Sequence, residues 1–158
     1  QSLESDDLVN IYKKRLGETA IIISPDKDIL NLEGTHYNPK KGELVTTSKE
    51  DAKLYFWRSV LQGDSIDNIK AIPGVGVKTA QQLLPVYESF NTTYINKVLE
   101  HYTDYFGTHK GILEFTKNYQ LLKILDEYEG LEYVEPIPYD IMSEFKKKIT
   151  EEEKLGDN

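Results

Sequence analysis

Apolar residues recur with two different periods near the start of the chain. From Leu8 to Leu16 they return at helical spacing, which predicts a helix over residues 6–16 opened by acidic side chains. Residues 20–24, Ala-Ile-Ile-Ile-Ser, form an unbroken and largely β-branched run, which predicts a strand buried on both faces of a parallel sheet. A helix followed by a buried strand indicates an α/β fold.

Turn-forming residues and a second helical stripe come next. Between residues 35 and 46, β-prone segments flank Asn38-Pro39-Lys40-Lys41-Gly42, a pattern that predicts a hairpin or a pair of edge strands. Thr47 and Glu50 have the spacing of a capping box. The apolar residues of the following segment, 52–61, lie on one side of a helix that we expect to end at the next glycine.

The remainder of the chain has a mostly helical pattern. Residues 65–69 and 77–84 predict two short helices, and the proline and two glycines of residues 72–76 predict a tight turn between them. Longer helical periodicity covers residues 94–105 and 112–125. The prolines at 136 and 138 predict an extended stretch, and we expect the acidic carboxyl terminus to be mobile.

Composition limits the classes of protein to which the chain can belong. Its 158 residues, 39% of them hydrophobic, suit one domain or one domain with a small attachment. No apolar stretch approaches the roughly 20 residues of a membrane helix, and no signal peptide is evident, so we expect a soluble protein without a membrane partner. The absence of cysteine excludes disulfides and thiolate metal sites. The net charge of −8 opposes nucleic-acid binding unless bound cations offset it locally.

Seven carboxylates fall in three short patches of the sequence. If the fold gathers them, their mutual repulsion requires bound cations, and carboxylate oxygens suit magnesium or manganese. The second patch directly follows the predicted strand, where ligand sites of α/β sheets lie. The third has two aspartates three residues apart, which one face of a short helix would present together. The patches are Glu4, Asp6 and Asp7; Asp26 and Asp28; and Asp64 and Asp67.

Each patch also has an ordinary structural interpretation. Acidic residues at the start of a helix are common caps, which accounts for Glu4, Asp6 and Asp7. Asp26 or Asp28 could cap a short helix, and Asp64 could simply follow a helix end. The metal hypothesis therefore depends on the three patches occurring together.

The turn Gly74-Val75-Gly76 is a candidate phosphate site. Its successive backbone N–H groups could form an anion-binding nest, with Lys78 and Thr79 in the first turn of the following helix. Such a site would bind the nucleic-acid backbone without reading bases. The alternative is an ordinary bend between two packed helices.

Other chemistry-bearing residues give weaker signals. His36, His101 and His109 have no paired metal-ligand spacing, so we assign them surface or core positions. Four tyrosines have the pattern of helix-packing aromatics rather than of a base-stacking platform. They are Tyr94, Tyr102, Tyr105 and Tyr119. No motif for acyl transfer or nucleoside-triphosphate hydrolysis is present.

Taken together, these motifs resemble the 5′-3′ exonuclease and flap endonuclease family, which includes phage 5′ nucleases and the 5′ nuclease domain of bacterial DNA polymerase I. The similar segments occur in order over about the first 85 residues. They are Glu4-Ser5-Asp6-Asp7-Leu8, Ile23-Ser24-Pro25-Asp26-Lys27-Asp28, Gly63-Asp64-Ser65-Ile66-Asp67-Asn68-Ile69 and Ile72-Pro73-Gly74-Val75-Gly76-Val77-Lys78-Thr79-Ala80.

The resemblance implies a fold and two domains. Residues 1–62 would be the carboxy-terminal part of a PIN-like α/β nuclease core, a partial parallel sheet flanked by helices. Residues 63–158 would form a mostly α-helical, helix-three-turn-helix DNA-binding region with a mobile acidic tail. The protein would work in the cytoplasm of a bacterium or a phage-infected cell, in DNA replication or repair.

The resemblance also implies an activity. The family hydrolyses phosphodiesters of DNA, at 5′ flaps, 5′ ends or RNA–DNA hybrids, with two magnesium or manganese ions. Glu4, Asp6, Asp7 and Asp26 would surround the first ion, and Asp28, Asp64 and Asp67 the second. Of these residues Asp26, Asp28, Asp64 and Asp67 are the implied catalytic set. Gly74, Val75, Gly76, Lys78 and Thr79 would bind DNA, with a potassium ion at the hairpin.

One departure from the family leaves two alternatives open. The family's first strand, a further acidic motif and a basic arch precede the segment that matches here, and the chain opens on Gln1 with Met142 as its one methionine. We interpret it as a fragment whose metal site lacks ligands that the missing N-terminal part would supply. The chain could then bind DNA without cutting it. A third hypothesis is an acidic helical protein that binds calcium and no nucleic acid.

Overall fold

The computed structural model describes residues 4–86 and 91–124, except for the side chains of residues 91–93. The described residues form two compact units. The first contains residues 4–29 and 34–46, and the second contains residues 30–33, 47–86 and 91–124. The predicted extended stretch at Pro136 and Pro138 and the acidic tail lie outside the described residues.

The first unit combines a helix with a small sheet. Helix α1 spans Ser5–Leu16, and a 3-10 turn at Gly17–Thr19 leads into strand β1, Ile21–Ile23. Strands β2, Gly34–Asn38, and β3, Glu43–Thr47, complete a three-stranded sheet of order β1-β2-β3. The predicted first helix and strand are therefore confirmed, and the fold is α/β with a small mixed sheet.

Strands β1 and β2 are parallel. Ile22 of β1 is paired with His36 of β2, and the Ser24 N–H extends the ladder with a 3.1 Å hydrogen bond to the carbonyl of Tyr37. The prediction that β1 is buried on both faces is wrong for the described residues. Ile22 is 6% exposed but Ile23 is 48% exposed, because alternate side chains point to opposite faces and only the Ile22 face is well covered.

The predicted hairpin is confirmed as the connection between β2 and β3. The Asn38 carbonyl accepts the Gly42 N–H at 2.8 Å, and the Asn38 side chain accepts the N–H groups of Lys40 and Lys41. An asparagine that binds the backbone ahead of it is a common way to close a turn. Strand β3 is largely exposed, as expected of an edge strand.

The second unit is built from four helices. Helix α2 spans Lys49–Gln62, α3 spans Val77–Leu83, α4 spans Asn91–Phe106 and α5 spans Thr108–Leu122. Helix α2 packs against the other three, and α4 packs along α5. Among the described residues no helix is long and apolar enough to cross a membrane.

The N-cap of helix α2 lies one residue later in the sequence than predicted. Ser48 is the N-cap, and its hydroxyl accepts the Asp51 N–H at 3.1 Å while also bonding the Asp51 carboxylate at 2.7 Å. The predicted Thr47–Glu50 box is therefore wrong, because Thr47 is the buried last residue of β3. The rest of the prediction is confirmed, since α2 ends at Gly63.

The apolar stripe of α2 forms the centre of the second unit. Trp57, Val60 and Leu61 are at most 5% exposed. The Trp57 ring lies parallel to that of Phe115 on α5, with centroids 6.3 Å apart, and Tyr102 of α4 meets Phe115 edge-on at 5.8 Å. Burial of these large rings contributes to the apolar area that holds the helices together.

A glycine allows α4 and α5 to approach closely. A Cβ placed on Gly111 would lie 2.6 Å from the Thr103 Cα and 2.7 Å from the Tyr102 carbonyl oxygen. No side chain can occupy that position without moving one of the two helices. The α4–α5 contact is therefore made backbone to backbone at this point.

Candidate functional site

The first acidic patch caps helix α1. The Glu4 N–H donates to the Asp7 carboxylate at 3.0 Å, and the Asp7 N–H donates to the Glu4 side chain. This reciprocal pair is a capping box made by two acids. Asp7 is 8% exposed and Asp6 is half-buried. The structural interpretation of Glu4 and Asp7 is thus confirmed, whatever further role they have.

The second patch lies just beyond the carboxyl end of β1, as predicted. The Asp26 carboxylate accepts the Asp28 N–H at 3.0 Å, and the Asp26 N–H donates to the Ser24 hydroxyl at 3.1 Å. Asp28 opens a 3-10 turn, Asp28–Asn31, so Asp26 caps it. Asp26 is exposed and Asp28 is half-buried. Both acids therefore border solvent at the end of a parallel strand.

The third patch is held in a closed turn, and the predicted helix over residues 65–69 is wrong. The Asp64 N–H donates to the Ile69 carbonyl at 2.9 Å, and the Ile69 N–H donates back to the Asp64 carbonyl at 2.7 Å. The Asp64 carboxylate also accepts the N–H groups of Ile66 and Asp67, at 2.7 and 3.3 Å. These bonds satisfy the N–H groups locally, so the segment gains little from becoming helical. We call Asp64–Ile69 the acidic turn.

Two residues with positive φ shape the acidic turn. Gly63, at φ 73°, ends α2, and Asn68, at φ 55°, reverses the chain before Ile69. A Cβ on Gly63 would overlap the Ile69 carbonyl oxygen and would lie 3.0 Å from the Ala71 nitrogen. Glycine is therefore required at this position both by its φ angle and by the close approach of the backbone.

The glycine turn before α3 is open to solvent. The Val75 N–H donates to the Ile72 carbonyl at 3.1 Å, Gly74 has φ 83°, and Gly76 is the N-cap of α3. Nothing lies within 4 Å of a Cβ placed on Gly74 or Gly76. Lys78 is exposed on the first turn of the helix, and Thr79 beside it is half-buried. The turn therefore leaves room for a ligand to approach its backbone.

The carboxylates of the three acidic patches have the chemistry of ligands for a hard divalent cation, but the described residues do not form a three-ligand site. Carboxylate oxygens are the ligands that magnesium and manganese prefer. Within residues 4–86 and 91–124, however, no three His, Asp or Glu side chains are arranged to hold a metal ion. The acids occur instead as pairs, Glu4 with Asp7 and Asp26 with Asp28 in the first unit and Asp64 with Asp67 in the second.

Three of the four tyrosines with a helix-packing pattern occupy packing positions, and the histidines range from buried to exposed. His36 is 4% exposed on β2, and His109 is exposed on α5. Tyr94 and Tyr102 are buried in the second unit, and Tyr119 stacks on Trp57 with centroids 5.7 Å apart. The prediction of packing aromatics is confirmed for these three tyrosines. Tyr105 differs, since it is 54% exposed.

A buried polar network next to the acidic turn was not anticipated. The Tyr102 hydroxyl donates to the Val60 carbonyl at 2.6 Å. The Asn118 amide donates to the Tyr102 hydroxyl at 2.8 Å and to the Lys70 carbonyl at 2.9 Å. Burial raises the pKa of Tyr102 to about 12, with the Glu114 charge adding to the rise and the Asn118 hydrogen bond opposing it. The one sequence signal is an asparagine among the apolar positions of α5.

Comparison with curated proteins finds relatives named 5′-3′ exonuclease, flap endonuclease Xni and DNA polymerase I. The chain is 29% identical over 154 residues to a 5′-3′ exonuclease of Buchnera aphidicola, which is 90% of this chain and 53% of that protein. It is 34% identical over 103 residues to the flap endonuclease Xni of Shewanella amazonensis, covering 58% of this chain and 41% of that protein.

A DNA polymerase I, from Rhizobium leguminosarum, is 30% identical over 107 residues, covering 58% of this chain and 10% of the polymerase. The chain therefore spans about half, or less, of the length of these curated relatives. No protein-family model and no solved structure matches it.

Proposed function

We propose that this chain, a relative of 5′-3′ exonucleases and flap endonucleases as its motifs predicted, is part of a structure-specific 5′ nuclease. Its reaction is the hydrolysis of DNA phosphodiesters at 5′ flaps or 5′ ends, during replication or repair. The observation that carries the proposal is the similarity to a 5′-3′ exonuclease along 90% of the chain. The two aspartate pairs, each with one exposed and one half-buried member, support it, because phosphodiester hydrolysis in two-metal nucleases needs carboxylate ligands.

The aspartate pairs are the proposed catalytic residues. Asp26 and Asp28 follow the end of a parallel strand, and Asp64 and Asp67 lie on the acidic turn, so each pair offers oxygens at the surface of its unit. Magnesium or manganese, when bound, supplies positive charge beside the scissile phosphate. We assign Asp26 to a first ion and Asp28, Asp64 and Asp67 to a second.

In this proposal the first patch both caps helix α1 and contributes to a metal site. Glu4 and Asp7 already bind each other's backbone N–H groups, so their orientation is fixed before any ion binds. A carboxylate has about four lone-pair positions, so one bond to an N–H group leaves acceptor capacity. We propose that Glu4, Asp6 and Asp7 border the first ion from helix α1.

We propose that the open glycine turn binds DNA. Gly74, Val75 and Gly76 would contact phosphate through the backbone, and Lys78 and Thr79 would add a positive charge and a hydroxyl. The solvent exposure of Gly74, Gly76 and Lys78 supports this role. A potassium ion at the turn and a helix-three-turn-helix arrangement belong to the same proposal.

A second candidate function is DNA binding without cutting. It is favoured by the share of the 5′-3′ exonuclease that the chain spans, 53%, and by the absence of a three-donor cluster in the described part of the chain. In that case we propose that cleavage needs an N-terminal part of the nuclease in addition to this chain. We also propose an RNA–DNA hybrid as a substrate of such a nuclease.

One experiment separates the two functions. The full chain is incubated with a labelled 5′-flap DNA duplex and Mg²⁺, and both cleavage and binding are measured. Loss of a residue that only hydrogen-bonds to a metal ligand costs roughly 10–100-fold in activity. We expect Asp64→Asn and Asp67→Asn, which change the proposed ligands themselves, to reduce cleavage by more than that. Asp104→Asn, on the exposed side of α4, is the matched control. Binding without cleavage would support the second function. If the chain neither binds nor cleaves the DNA, both proposed functions are contradicted.

A further inference from the structure

We propose that Tyr102 and Asn118 are positioning residues that hold the acidic turn in its closed form. This inference rests on the proposed function only for what the turn does, since its geometry stands by itself. The two side chains lie on different helices, α4 and α5, and both are 0% exposed. They bond the chain on either side of the acidic turn, at Val60 before it and at Lys70 after it.

The backbone of α2 shows why the Tyr102 hydroxyl matters. In a continuous helix the Val60 carbonyl would accept the N–H of the residue four places later, Asp64. The Asp64 N–H instead donates to the Ile69 carbonyl at 2.9 Å and closes the acidic turn. The Tyr102 hydroxyl takes its place at Val60, at 2.6 Å. It thereby releases the Asp64 N–H to close the turn.

Burial makes this exchange of partners necessary. Val60 is 0% exposed, so water does not readily replace a hydrogen bond at its carbonyl. If the hydroxyl were removed, the Asp64 N–H would be the nearest substitute donor along the helix. The Asp64 N–H would then be shared between the Val60 and Ile69 carbonyls, so the turn would open more often and the Asp64 and Ile69 amides would lose protection. The closed turn and the hydroxyl therefore depend on each other.

Asn118 fixes the far side of the turn and orients the hydroxyl. Its amide nitrogen has two N–H groups, and the two acceptors are the Lys70 carbonyl and the Tyr102 hydroxyl. Because the hydroxyl accepts from Asn118, its own hydrogen is directed to Val60. Burial raises the pKa of Tyr102 to about 12, so that hydrogen stays in place even above the pH at which an ordinary tyrosine ionises. Two side chains thus connect the end of α2, the end of the turn and α5.

Hydrogen exchange of backbone amides tests the proposal without substrate. Tyr102→Phe removes the hydroxyl and keeps the ring. We expect the amides of Asp64 and Ile69 to exchange about tenfold faster or more, while those of Ala80 and Leu84, bonded within α3, keep their rates. Tyr119→Phe, which removes a hydroxyl from a neighbouring ring of the same cluster, should change none of the four.

A second variant covers the case in which Tyr102→Phe does not fold. Asn118→Leu has a similar volume and removes the donor to both acceptors, so it should produce the same local increase at Asp64 and Ile69. Unchanged rates at these two amides, or an equal increase at all four, would overturn the proposal. The second result would mean that the network supports only the overall stability of the unit.

Cleavage assays then separate this proposal from the proposed function. In Tyr102→Phe we expect half-maximal 5′-flap cleavage to need several-fold more Mg²⁺, with the rate recovering at saturating Mg²⁺. If Asp64→Asn abolishes cleavage but the exchange rates do not respond to Tyr102→Phe, the positioning role fails alone. If Asp64→Asn leaves cleavage intact while the exchange pattern appears, the nuclease assignment fails and the positioning of the turn stands.

Discussion

The Arg58 guanidinium donates two hydrogen bonds, of 2.9 and 2.7 Å, to the carbonyl oxygen of Leu84. Arg58 lies on α2 and Leu84 is the C-cap of α3, so the pair fastens the short helix that follows the glycine turn. Leu84 is 0% exposed. The charged donor thus satisfies a carbonyl at the end of a helix, where no further N–H continues the ladder.

Arg58→Met should destabilise the second unit. The variant keeps the apolar stem but leaves the Leu84 carbonyl without its charged donor, which costs about 1–3 kcal/mol. Urea unfolding followed by the fluorescence of Trp57 measures the change. Lys117→Met, on the exposed side of α5, removes one positive charge elsewhere and should shift the midpoint little. Equal midpoints for the two variants would contradict the role of Arg58.

Gly63→Ala should open the acidic turn. Gly63 and Gly17 are both C-cap residues, with φ of 73° and 75° and an N–H that bonds the carbonyl four residues earlier. A Cβ on Gly17 meets nothing within 4 Å, whereas one on Gly63 overlaps the Ile69 oxygen. We therefore expect Gly63→Ala to cost at least about 1 kcal/mol more than Gly17→Ala. Thermal unfolding of the two variants, each against the parent chain, gives the comparison.

The ionisation of Tyr102 should make stability depend on pH in the alkaline range. Its folded pKa of about 12 lies above the ordinary value of 10.0. The folded state therefore holds the proton more tightly, and its contribution is complete below pH 10 and is lost as pH rises through 12. Each unit of pKa difference is worth about 1.4 kcal/mol. Urea midpoints between pH 9 and about 12 should fall more steeply in the parent than in Tyr102→Phe; parallel curves would contradict the assignment.

Lys78→Glu should weaken DNA binding in a salt-dependent way. If Lys78 contacts a phosphate, its loss lowers affinity on every sequence and reduces the slope of log K against log salt by about 1. Fluorescence anisotropy on a labelled duplex at several salt concentrations measures both quantities. Lys110→Glu changes the charge equally on the exposed side of α5 and serves as the control. If Lys78→Glu and its control behave alike, the glycine turn is not the DNA contact.

Long periodic segments were predictable because their own apolar pattern determines them. The helix ending at Gly63 and the strand around Ile22 follow from burial of a stripe or a run, which the sequence displays directly. The exposure of Ile23 was not predictable in the same way. The sequence records that a residue is apolar, but not whether another element covers it.

The details of the acidic turn depend on contacts that lie far apart in sequence or compete locally. The spacing of Asp64 and Asp67 fits a helix as well as a turn, and the choice was decided by the Asp64 carboxylate, which accepts N–H groups two and three residues ahead. The bonds from Tyr102 and Asn118 to Val60 and Lys70 span 42 and 48 residues. No pattern within one segment reveals such partners.

The missing side chain at Gly111 sets the register of two helices. Because Gly111 lies against the Tyr102 carbonyl, sliding α5 until Phe115, about one helical turn further along, took its place would bring a much larger residue into that gap. Asn118 lies two turns further along α5, so its reach to the Tyr102 hydroxyl depends on that register. Gly111 thus sets the relative position of two residues whose hydrogen bond does not involve it.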